Sequence, residues 1–155
     1  MSFEDFMGRA IALSLENARA GRGPFAAVVV RDGQVVAEGT NRVTETNDPT
    51  AHAEVVAIRA ACANLKSFEL TGCDLYSSCE PCPMCLGAIY WARPRRVFFA
   101  NTREDAAAIG FDDAFIYAEL TAPLDQRKIP MTQIMREEAL AAFQEWARNP
   151  GKKPY

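Results

Sequence analysis

The chain has 155 residues, 49% of them hydrophobic and 24% charged, with 17 Lys+Arg against 20 Asp+Glu for a net charge of −3. A chain of this length buries about 70% of the surface its unfolded form exposes and can build a core without disulfide staples. No apolar run approaches the roughly 20 residues that span a bilayer, and the acidic balance argues against a broad nucleic-acid-binding surface. The start, Met1-Ser2-Phe3-Glu4-Asp5, is acidic where a signal peptide is basic. The expectation is one cytoplasmic domain over residues 1–155 that acts on a small molecule.

Ser2 stands as a helix N-cap, followed by apolar residues at helical spacing from Phe3 to Ala18. Gly21-Arg22-Gly23-Pro24 stops that helix. Phe25 to Val30 is an apolar, β-rich run, Asp32-Gly33 is a favoured type I′ turn, and Gln34 to Glu38 returns, which predicts a hairpin. A polar, turn-rich stretch ends at Asn47-Asp48-Pro49-Thr50, and helix formers follow from Ala51 to Asn64, with His52 and Glu54 in the first turn. Asp74 to Ser77 and Val97 to Ala100 read as strands on either side of a helix from Met84 to Ala92 that Pro94 stops. Glu104 to Ile109 is a short helix, Gly110 to Asp113 a turn, Met131 to Ile134 a last strand, and Arg136 to Arg148 a last helix. Strands alternating with helices predict a three-layer α/β/α domain on one mostly central sheet.

The chain holds five cysteines and one histidine, His52. Cys79, Cys82 and Cys85 crowd together, whereas disulfide frameworks spread their partners, so in a reducing compartment they read as metal or catalytic groups. Cys82 and Cys85 are three apart at a predicted helix start, where unpaired amides and the helix dipole favour thiolate. With His52 they give one imidazole and two thiolates, which favours zinc and leaves one tetrahedral position open, as in catalytic sites. Thiolates weaken zinc as a Lewis acid, so a nearby base is needed for a water's proton, and Glu54 is the candidate. Glu54 is too close in sequence to His52 to share its helical face, so the pair needs non-helical backbone at the helix start. The competing arrangement is a closed structural site completed by Cys79. An iron–sulfur run would need a cysteine where Ile89 stands. Cys62 and Cys73 read as small buried hydrophobes.

His52-Ala53-Glu54 with Pro81-Cys82-Pro83-Met84-Cys85 is the H-x-E…P-C-x-x-C signature of zinc deaminases. From Phe25 to Phe115 the chain resembles the cytidine deaminase-like superfamily, and over nearly its whole length it resembles the bacterial guanine deaminases. The resemblance rests on Asn47 to Glu54, Ser78 to Ala92, Gly110-Phe111-Asp112-Asp113 and the terminal Lys152-Lys153-Pro154-Tyr155. It implies a five-stranded mixed sheet between helices, one zinc per subunit held by His52, Cys82 and Cys85, and hydrolysis of guanine to xanthine and ammonia with Glu54 moving the protons. It also implies that Asp113 assists the departing amine, that Phe25, Asn41, Ala53 and Trp91 line the pocket, and that the segment around 136–155 is exchanged within a homodimer, bringing Tyr155 to the partner's pocket. Ala26 stands where a glycine is expected. The same residue types have plainer readings: Asn41 and Asp112-Asp113 as turn or cap residues, Phe25 and Trp91 as core aromatics, Tyr155 as an untethered tail. Rival activities are tRNA adenosine deamination, which needs a basic surface, and deamination of another 2-amino ring such as isocytosine or ammeline.

Overall fold

The structure is a computed structural model and describes residues 2–155. Ser2 caps the first helix, α1 (Phe3–Arg19), in a capping box closed by Asp5. Strands β1 (Ala26–Arg31) and β2 (Gln34–Thr40) form the expected hairpin. Asp32 and Gly33 sit at φ 50° and 74°, the pair of left-handed positions a type I′ turn requires. A short helix, α2 (Val43–Thr46), leads to α3 (Ala53–Leu65), and β3 (Cys73–Cys79), α4 (Pro83–Ala92) and β4 (Arg96–Asn101) complete the main layers. Thr102 then caps α5 (Arg103–Ala108) in a second capping box.

The sheet has four strands in the order β2-β1-β3-β4, with β1 antiparallel to both neighbours and β3 parallel to β4. The alternation of strand side chains divides the core in two. Val28, Val30 and Tyr76 pack under Phe6 and Ala10 of α1 on one face. Ala27, Val29, Cys73 and Leu75 meet Ala53, Ala57 and Ala61 of α3 and Ile89 and Ala92 of α4 on the other. Tyr76 stacks on Phe98 of β4, ring centres 4.8 Å apart, which ties the edge strand to the first face. Three layers around a mixed sheet are therefore as expected, but the fifth strand is not formed among the described residues. Met131–Ile134 pairs with no ladder. Pro130 removes an N–H just before it, and an extended segment without a partner strand has no bonds to hold it as a strand.

The chain divides into two compact units, one ending at Asp113 and the other Ala114–Tyr155. The second holds α6 (Ala114–Thr121), a 3-10 turn (Leu124–Gln126) and α7 (Arg136–Arg148). Within it the Lys128 N–H donates to Glu119 Oε2, and the Lys128 ammonium stands over the Phe115 ring. None of its residues is buried. No helix among the described residues is long and apolar enough to cross a membrane.

Candidate metal centre

Two helix starts build the centre, each from a residue held in extended backbone just before its helix. His52 is the N-cap of α3 at φ −67°, ψ 152°, and Cys82 is the N-cap of α4 at φ −69°, ψ 170°. His52 thus precedes the first turn, while Glu54 lies within it. This extended step lets two residues so close in sequence serve one site. Pro83 at the first position of α4 fixes that start, since its missing N–H would have had no helical partner. Cys85 then falls inside the first turn, one residue beyond Met84.

The close fit of α3 onto the hairpin sets where His52 sits. A Cβ on Gly39 would lie 2.4 Å from the Ala53 carbonyl oxygen and 2.5 Å from the Ala57 nitrogen, so only glycine permits the approach. The Arg42 N–H donates to the Ala51 carbonyl at 2.9 Å, pinning the residue before His52 to the N-cap of α2. Asn17 of α1 adds a brace: its Nδ2 donates to the carbonyls of Gly23 (2.7 Å) and Asn41 (3.0 Å).

Both sulfurs, Cys82 Sγ and Cys85 Sγ, stand 3.4 Å from His52 Nδ1. An ion bonded at about 2.3 Å to sulfur and about 2.0 Å to nitrogen at the tetrahedral angle separates those atoms by about 3.5 Å, so this donor set fits zinc. Among the described residues these three side chains are the group with the geometry to hold a metal ion. The hydrogen bond from Cys85, with His52 alongside, holds the Cys82 thiol down to about 4. Cys85, which gives that hydrogen bond and is buried, is pushed upward, and the bond to Cys82 raises His52.

Cys79 does not join the cluster. Burial pushes its thiol up to about 11, and its Sγ contacts the Thr102 carbonyl at 3.6 Å. The closed four-ligand site is therefore not built among the described residues, and the three-ligand set stands beside Glu54. Glu54 is buried; its Oε1 accepts from Ser77 Oγ at 3.0 Å and its Oε2 meets Cys85 Sγ at 3.4 Å. Burial raises the Glu54 carboxyl above its ordinary range, against the lowering effect of these hydrogen bonds.

The remaining residues divide. Asp113 is half-buried, and burial first, then the charge at Cys82, raises its carboxyl. Phe25 meets the Phe111 edge in a T-shaped pair, centres 5.0 Å apart. Asn41 is buried and its Oδ1 accepts from the Val43 N–H at 3.2 Å, so it does serve the local turn. Ala53 is buried at the start of α3, whereas Trp91 on α4 is 63% exposed. Tyr155 is exposed in the second unit. No motif singled out Ser77, Asn17 or Gly39. The one available signal was for Ser77, a hydroxyl at the same strand parity as the core residues Cys73 and Leu75.

Sheet, paired helix starts and donor set define a zinc-dependent deaminase site, and the sequence agrees. Residues 1–101 match the family described as the cytidine and deoxycytidylate deaminase zinc-binding region, and the chain belongs to that family. It is 55% identical to a guanine deaminase of Bacillus subtilis over the full length of both chains. The X-ray structure of a B. subtilis guanine deaminase superposes with a TM-score of 0.97, covering 100% of this chain and 99% of that one. A guanine deaminase from Nitrosomonas europaea is 35% identical with a TM-score of 0.70, over 93% of this chain and 84% of that one. A tRNA-specific adenosine deaminase of Agrobacterium fabrum is 46% identical, but over 56% of this chain and 57% of its own.

Proposed function

We propose that this protein hydrolyses guanine to xanthine and ammonia as a zinc-dependent aminohydrolase. The observation that carries the reading is the buried Glu54 carboxylate at an incomplete tetrahedral donor set, in a chain with no second histidine to act as base. When bound, zinc supplies a Lewis acid that makes a water acidic near neutral pH. Glu54 takes the proton of the attacking water as its oxygen adds to C2 of guanine and delivers that proton to a ring nitrogen. It then carries the second proton to the amino group, which leaves as ammonia. A carboxyl held above its ordinary range by burial suits a group that must both accept and release a proton. Asp113 receives the departing amine; its raised carboxyl shares the electrostatic field of Cys82.

Phe25 and Trp91 act as flat walls for the base, with Asn41 and the Ala53 backbone at its polar edge. The full-length likeness to guanine deaminase favours guanine over an adenosine in tRNA, as does the net charge of −3. Free cysteines and thiolate ligands fit a reducing compartment, the cytoplasm. The reading extends to a homodimer that exchanges the segment 136–155 and places Tyr155 at the partner's pocket. It is supported by exposed Ile129, Ile134, Met135 and Phe143 in a unit without a buried residue. A 13-residue helix such as α7 is marginal on its own and gains stability by covering its apolar face.

The test is ammonia release by the zinc-loaded protein from guanine, adenine, cytosine, isocytosine, ammeline and a tRNA anticodon stem at matched concentrations. Guanine should be preferred; turnover of another ring with guanine inert overturns the substrate reading. Light scattering should return twice the chain mass, and a monomer during turnover overturns the exchanged dimer.

A further inference from the structure

Ser77 lies on the central strand β3, its backbone paired with Ala27 of β1 on one side and Phe99 of β4 on the other. A side chain carried there has little freedom, since both neighbouring ladders fix its backbone. Ser77 is 2% exposed, and its Oγ donates to Glu54 Oε1 at 3.0 Å. The second Glu54 oxygen, Oε2, faces Cys85 Sγ at 3.4 Å. A sulfur that ligates zinc has lost its proton, so it no longer donates to that oxygen. Ser77 is then the side-chain donor left to Glu54 among the described residues.

Glutamate has three rotatable side-chain bonds, and a carboxylate that must meet first a water, then a ring nitrogen, then an amine loses rate when it wanders. We propose that Ser77 is the positioning residue for the Glu54 proton shuttle: by holding Oε1 from the sheet it keeps Oε2 turned to the metal cluster. The role rests on the deaminase reading above, but it concerns the carboxylate and not the identity of the base. A serine that merely filled space or satisfied a buried oxygen would affect stability and leave the catalytic step alone.

The test compares the zinc-loaded wild type with S77A, S77C and S77T by metal analysis, guanine kinetics and crystal structures. Zinc stays at one ion per chain in all four. In S77A and S77C, kcat falls by about 10- to 100-fold, the range for losing a hydrogen-bonded support of a catalytic group, with KM nearly unchanged. S77T, which keeps the hydroxyl, recovers most of the lost rate. S77C keeps a polar side chain there, somewhat larger than serine and a weak donor, so it carries the comparison if S77A does not fold. In the S77A and S77C structures the Glu54 carboxylate leaves its wild-type position, and in S77T it superposes.

Near-wild-type kcat in S77A and S77C, equal damage in S77T and S77A, or an unmoved Glu54 carboxylate overturns the role. Should the wild type release no ammonia from guanine, it is the guanine reading that fails. The carboxylate positions in the crystal structures then decide the role of Ser77 without it.

Discussion

Every buried residue of the described chain lies between Phe6 and Ala92, and residues 93–155 contain none. The contrast is sharpest between two neighbouring parallel strands: all seven residues of β3 are buried, and none of the six of β4 is. Position explains it, since β3 has a strand on each side and helices on both faces, whereas β4 is a sheet edge without the close helix contact that α3 gives β2 at the other edge. Glu54, Ser77 and Cys85 are buried in that region, and His52 and Cys82 are half-buried beside them. Of the residues proposed to contact the base, Asn41 and Ala53 are buried there as well, whereas Trp91 and Tyr155 are exposed. Reaction chemistry benefits from a preorganised interior.

Metal-ligand substitution tests this division most severely. C82S should lose zinc and fall to background ammonia release, whereas C79S should keep both, because Cys79 turns to the Thr102 carbonyl. Equal zinc loss in the two variants, read by elemental analysis, would restore the closed site. E54Q is the next largest effect: zinc retained and kcat reduced by about 10² to 10⁴-fold, the range for general acid–base catalysis. Near-normal turnover would remove Glu54 from the proton path. G39A acts on the scaffold. Its added Cβ would press on the Ala53 carbonyl and the Ala57 nitrogen, so denaturant unfolding should show a loss of about 1–3 kcal/mol, the usual cost of overpacking, together with weaker zinc binding. An unchanged midpoint would mean that α3 is not held to the hairpin by that approach.

The same division explains what was legible in the sequence. The capped helix Phe3–Arg19, the periodic helix Arg136–Arg148 and the Asp32-Gly33 hairpin declare themselves locally, through a capping residue, spacing and turn chemistry. The ligand set was legible because residue type and spacing alone limit zinc chemistry. The fifth strand was not, because Met131–Ile134 has strand-like composition but a strand exists only with a partner. Nor was the Ser77 contact, which depends on β3 and α3 meeting across 23 residues of sequence. Asn17 and Gly39 are likewise defined by what packs against them, and no local pattern carries that.

The smallest effect lies where buried and exposed strands join. Asp74 on β3 is buried and receives paired hydrogen bonds from Arg95 and Arg96 at the start of β4, with closest contacts of 2.7 and 2.9 Å. The Arg95 hydrogen bonds, with Arg96 beside them, hold the Asp74 carboxyl down to about 2 from its ordinary 3.8. A carboxyl depressed by folding stabilises the native state above its unfolded pKa, and that contribution disappears as pH falls through the folded value. Both guanidinium groups face solvent, which screens the pairs, so D74N should cost about 1–2 kcal/mol near neutrality. Between about pH 4 and pH 2 the gap between wild type and D74N in urea unfolding should close, because the wild-type carboxyl takes up its proton in that window. A gap that stayed constant down to pH 2 would show that Asp74 acts through packing and not through its charge. The bond between the buried strand and the exposed one would then owe more to the Tyr76–Phe98 stack than to this ion pair.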